Sequence, residues 1–256
     1  MIPGITCDGN VWSETVEVLS KNYECHILTL PGFAGQETID LSQGYLNRVE
    51  NEVIEYLRKK RLNKPIVIGH SLGGYLALSI GSHEPKLISK MIIVDALPFF
   101  GAAQNPAATE ESMKPIAQNM MAMWDTISPE LYQQQQKMML YTMISAPEKI
   151  ELAFKWGKSS DRATVSQAMY ELYTTDLRDD IAEIEAPTLV LGSWIGYKDY
   201  GVTKEMIQRS FDYQYSQLDK VEIKISDTGK HFIMWDDFDF YIDEIEQFLN
   251  ANPIEG

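Results

Sequence analysis

Residues 69–73 read Gly69-His70-Ser71-Leu72-Gly73. The serine has a glycine two positions away on each side. An apolar, β-branched run, Ile66-Val67-Ile68, precedes it, and Leu72, Tyr75, Leu76, Leu78 and Ile80 follow with helical spacing. Strand, tight turn and helix in that order form a nucleophile elbow: the turn lifts a hydroxyl off a sheet, and small neighbours let strand and helix approach. The chemistry would be attack on a carbonyl, with the amides of the helix start aimed at the attacked group. The competing reading is a structural turn whose serine caps the helix. A serine nucleophile needs a base, and the chain has four histidines, His26, His70, His83 and His231. Two cysteines, Cys7 and Cys25, cannot make a disulfide framework, and Cys25 is expected as a buried free thiol in a strand. No C-x-x-C, H-E-x-x-H or phosphate-binding glycine loop is present, so neither a metal nor another cofactor is expected.

The elements that must hold Ser71 follow from the pattern around it. A loop at Pro3-Gly4 opens the chain, and a helix is predicted over residues 11–19. Residues 24–30 alternate as a strand and break at Pro31-Gly32. Leu46, Val49, Val53, Ile54 and Leu57 mark a helix with one buried face. Residues 89–94 form another strand, which ends at Asp95. From about residue 98 to residue 183 the pattern is wholly helical, with starts signalled at Ser128-Pro129-Glu130 and Ser145-Ala146-Pro147-Glu148. Alternation resumes with strands over 188–191 and 221–225 and helices over 203–211 and 236–250. The expected fold class is α/β, a mostly parallel sheet flanked by helices, with an all-helical cap inserted. The division is 1–97 for the first part of the core, 98–183 for the cap and 184–256 for the second part.

Length and composition agree with one large domain, or a core with an inserted subdomain. The chain has 256 residues, of which 45% are hydrophobic and 23% charged. Its 37 acidic and 22 basic residues give a net charge of −15, which repels phosphate backbones and anionic membranes, so no nucleic-acid or membrane partner is expected. No apolar run reaches the roughly 20 residues of a membrane helix, and no signal peptide precedes the fold, so a cytoplasmic location is expected. The glutamine run Gln133 to Gln136 is expected on a solvated helix face. Oligomeric state is left open.

Taken together, Pro3-Gly4, Leu30-Pro31-Gly32-Phe33, Gly69-His70-Ser71-Leu72-Gly73-Gly74, Ala186-Pro187-Thr188-Leu189-Val190-Leu191 and Gly229-Lys230-His231-Phe232 resemble the α/β-hydrolase superfamily over nearly the whole chain. These motifs are specific to a fold, not to a substrate. Members usually carry two or three strands before the Pro-Gly loop, and the resemblance therefore implies that N-terminal strands are missing here.

The resemblance implies the chain order nucleophile, acid, histidine, which selects His231 as base. His26 and His83 are expected to be structural, and His70 to point away from the nucleophile by strand alternation. Two acids stay open. Members commonly place theirs in the loop after the strand 188–191, where Asp199 falls late. Some haloalkane dehalogenases place it after the strand beside the elbow strand, and Val94-Asp95-Ala96-Leu97 is similar to that segment. The reading leans to Asp95. The oxyanion hole is expected from the backbone amides of Leu72 and, by the resemblance, Ile5. Seven of the chain's 12 methionines lie between residues 113 and 143 of the helical stretch. With Phe99, Met120, Trp124 and Met139 they suggest an apolar acyl or aromatic pocket, against the alternative that they only pack helices together. The implied activity is a serine hydrolase acting on a small ester, thioester or lactone. A C–C bond hydrolase on the same residues and a non-catalytic small-ligand receptor are the alternatives.

Overall fold

A computed structural model describes residues 1–251. In chain order the elements are α1 (Ser13–Leu19), α2 (Leu46–Lys59), β1 (Ile66–His70), α3 (Leu72–His83), β2 (Lys90–Val94), α4 (Glu110–Thr126), α5 (Pro129–Met143), α6 (Pro147–Lys158), α7 (Arg162–Thr174), β3 (Thr188–Gly192), α8 (Lys204–Gln214), β4 (Val221–Ile225), α9 (Ile233–Asp236) and α10 (Phe238–Ala251). The strands pair in parallel in the order β1-β2-β3-β4, with Gly69 opposite Ile93 and Val190 opposite Ile223. Every residue of β2 and β3 is buried, as expected of central strands covered on both faces, whereas β4 alternates.

Helix α3 runs behind the sheet with residues Leu72 to Ser82 all buried. Helix α2 covers it with the predicted apolar face, Leu46, Val49, Val53, Ile54 and Leu57. Burial of each such side chain contributes roughly 1.5–3 kcal/mol. On the other face Ile68, Ile92, Val94, Leu189 and Leu191 pack with Tyr241, Ile245 and Phe248 of α10. The helical stretch α4 to α7 leaves the sheet after β2 and returns before β3. Ser128 accepts a hydrogen bond from the Leu131 amide, so α5 starts where the sequence signals it. No helix among the described residues is long and apolar enough to cross a membrane.

Three details differ from the sequence expectations. Residues 24–30 run extended but form no strand. Only Met1 and Ile2 lie between them and β1: Leu28 N donates to Met1 O, and Ile2 N donates to Ile68 O. Beyond Ile2 an apolar cavity of about 310 Å³, lined by Leu19, Leu28, Val53, Ile66 and Val67 among others, separates the two segments, so the ladder is not completed. Cys25 is only partly buried, and the fully buried thiol is Cys7, pushed up to about 12 by burial. Gln136 turns inward from the glutamine run, and its Oε1 is buried without a partner among the described residues.

Candidate active site

The geometry of Ser71 is set by its glycines. Its φ and ψ are 53° and −121°, a strained conformation between the last residue of β1 and the first of α3. A Cβ on Gly69 would penetrate the Gly73 carbonyl, and one on Gly73 would penetrate the carbonyl of Ile2. The elbow is tight because three backbone segments meet there. The Ser71 amide donates to Val94 O at 2.9 Å, which ties the turn to the end of β2. The amides of Leu72 and Ile5 have no acceptor among the described residues. Ile5 follows Gly4, where a Cβ would lie 3.2 Å from the Ser71 Cβ, so the two loops are in contact. Thr6 holds a left-handed φ of 61° at the next position.

His231 lies after β4, in the loop leading to α9. Its Nδ1 is 2.7 Å from Asp95 Oδ2. Asp95 follows β2 with a left-handed φ of 47°, which turns its carboxylate toward β3. There Ser193 donates twice, from N to Oδ1 and from Oγ to Oδ2, both at 2.7 Å. Three hydrogen bonds converge on a side chain only 11% exposed and fix the plane of its carboxylate. The His231 side chain is 17% exposed, so its remaining nitrogen, Nε2, retains a route to solvent-sized molecules. Burial first, then the Asp95 charge, push the Tyr197 phenol up to about 12. The Ser71 hydroxyl has no hydrogen-bond partner among the described residues.

The other candidate acid lies elsewhere. Residues Ile195–Tyr200 form a 3₁₀ turn that carries Asp199 outward, exposed. His26 Nδ1 meets Tyr56 Oη, and His83 Nδ1 meets Glu50, both away from Ser71. His70 lies beside His231. Its ring packs against His231 and Phe232, each at 4.6 Å between centroids. The four apolar residues expected around a pocket fall in separate packing groups. Phe99 is fully buried with Ala102, Ala108 and Met113, and Trp124 packs on Tyr132. Met120 is half-buried, and Met139 is 44% exposed.

Sequence reasoning missed the residues that hold His231 and Asp95 in place. Ser193 carried no motif. Lys230 donates from Nζ to the carbonyls of Tyr141 and Ile144, at the end of α5. Ser145, just beyond, donates from N and Oγ to the two oxygens of Asp236, and Phe232 N donates to Met143 O. The end of α5 is thus strapped to residues 230–236 on both sides of His231. Adjacent lysine and histidine after the last strand were the available signal, but only the fold brings α5 above them.

The model of the alpha/beta hydrolase family matches residues 1–244. The chain is 23% identical over 209 residues to the pimeloyl-[acyl-carrier protein] methyl ester esterase of Vibrio atlanticus, covering 75% of this chain and 73% of that protein. It is 23% identical over 261 residues to a putative carbamate hydrolase, RutD, of Rhizobium rhizogenes, covering 97% and 90%. Among solved structures, MenH from S. aureus superposes with a TM-score of 0.74 at 18% identity, covering 98% of this chain and 92% of that one. At that identity the likeness speaks to the fold alone.

Proposed function

The chain belongs to the alpha/beta hydrolase family, and we propose that it is a serine hydrolase that cleaves a small carboxylic ester, thioester or lactone through an acyl-enzyme. The observation that carries this reading is the imidazole of His231, held by a triply hydrogen-bonded Asp95 and packed at 4.6 Å on the ring of His70, the residue before a serine in a strained turn. With Nδ1–H donated to Asp95, His231 presents Nε2 as the free base. Ser71 Oγ attacks the carbonyl carbon, and its proton passes to His231 Nε2. The amides of Leu72 and Ile5 receive the oxyanion. The imidazolium, stabilised by Asp95, returns that proton to the leaving oxygen or sulfur. Water then attacks the acyl group with the same histidine as base and releases Ser71.

The relatives named above act on an ester and, putatively, a carbamate. Attack on an acyl carbon is common to both, which supports the reaction class. The helical stretch α4 to α7 is read as a cap that determines the acyl group. A fluorophosphonate probe tests the chemistry. Labelling at Ser71, abolished in Ser71→Ala, is expected, and an unlabelled folded chain would favour the non-catalytic receptor. A series of aryl esters from acetate to octanoate tests the acyl preference.

A further inference from the structure

We propose that His70 is a positioning residue for His231, acting as a neutral imidazole protonated on Nε2; the proposal rests on the serine hydrolase reading. His70 is the residue before Ser71 and ends β1, where the alternation of the strand sends its ring to the opposite side from the turn. There it is 1% exposed. Its Nε2 lies 3.1 Å from the carbonyl oxygen of His231. A carbonyl only accepts, so this nitrogen must carry the proton. The second nitrogen, Nδ1, is buried and has no partner among the described residues. A Cβ on Gly4 would lie 2.8 Å from it, so no larger residue fits on that side.

The surroundings favour a single neutral tautomer. Trp12 meets the ring edge-on at 6.4 Å, and His231 and Phe232 pack at 4.6 Å. Burial first, and His231 second, hold His70 well below the ordinary histidine range. A neutral His70 puts no competing positive charge beside His231 when that ring accepts the Ser71 proton. The two bonds then divide the work. Asp95 orients the His231 ring through Nδ1, and His70 fixes the backbone that carries it. The segment Gly69-His70-Ser71 therefore delivers the nucleophile on one side and the support of its base on the other.

Two variants of the full chain test this. His70→Phe keeps a ring of similar bulk and removes the donor, and His70→Gln returns an N–H at the position of Nε2. A fall in kcat of about 10–100-fold is expected for the phenylalanine variant, with KM within about twofold, as for a base moved by a fraction of an ångström. The glutamine variant is expected to recover to within about threefold of the parent. Undiminished kcat in His70→Phe overturns the proposal. So does an equal loss in both variants that tracks their melting temperatures. Nitrogen-15 spectra of the histidine rings judge the tautomer independently of turnover: Nε2–H on a neutral His70 between pH 5 and 8 is expected, and Nδ1–H or a cation overturns it. If the parent chain takes no fluorophosphonate label, the hydrolase reading fails while the spectra still decide the state of His70.

Discussion

Asp95 receives three hydrogen bonds of 2.7 Å from two residues, one of them His231, whereas the three that Asp236 receives come from Ser145 and Lys230 and are longer. An amide at this position would present an N–H to His231 or to Ser193, and one of the three bonds would become a clash of donors. Asp95→Asn is therefore expected to lower kcat by about 10³-fold or more with a small change in stability, measured as turnover and melting temperature together. Asp199→Asn is expected to leave both unchanged. Ser193→Ala removes one of two donors from the same residue and should reduce kcat by roughly tenfold, because the Ser193 amide still holds Oδ1. At this scale the sequence singles out Ser71 and His231 as candidates because each sits in a local motif. It does not say which of Asp95 and Asp199 meets the imidazole, since that depends on a strand end and on a 3₁₀ turn that carries Asp199 away.

The elbow is an element whose shape depends on absent side chains. Gly69 and Gly73 face each other across the turn, and the chain's first residues close the far side. Gly73→Ala would drive a methyl group into the carbonyl of Ile2 and separate the N-terminal loop from α3. The expected outcome is little folded protein, read as loss of soluble yield or of a cooperative melting transition. The glycine spacing announced this element directly. The helices were equally readable where caps and prolines mark them, as at Ser128-Pro129. Ser145 shows the limit of such signals: it looks like a cap for α6, but its hydroxyl is spent on Asp236. Residues 24–30 show another limit. Their alternation is genuine, but a strand exists only when a neighbour completes its ladder, and here Met1 and Ile2 supply a single turn of pairing.

At the scale of the whole molecule, the helical stretch that leaves the sheet after β2 and returns before β3 is tied to the segment after β4 by Lys230, Ser145 and Phe232. The strap between the end of α5 and residues 230–236 has a wider consequence. Exchanging the roof of this enzyme for that of a relative is not a modular operation, because the incoming helices must reproduce the anchor points of Lys230 and Asp236. On the proposed mechanism, a chimera that ignores them would carry a misaligned His231 whatever acyl group its new helices accept.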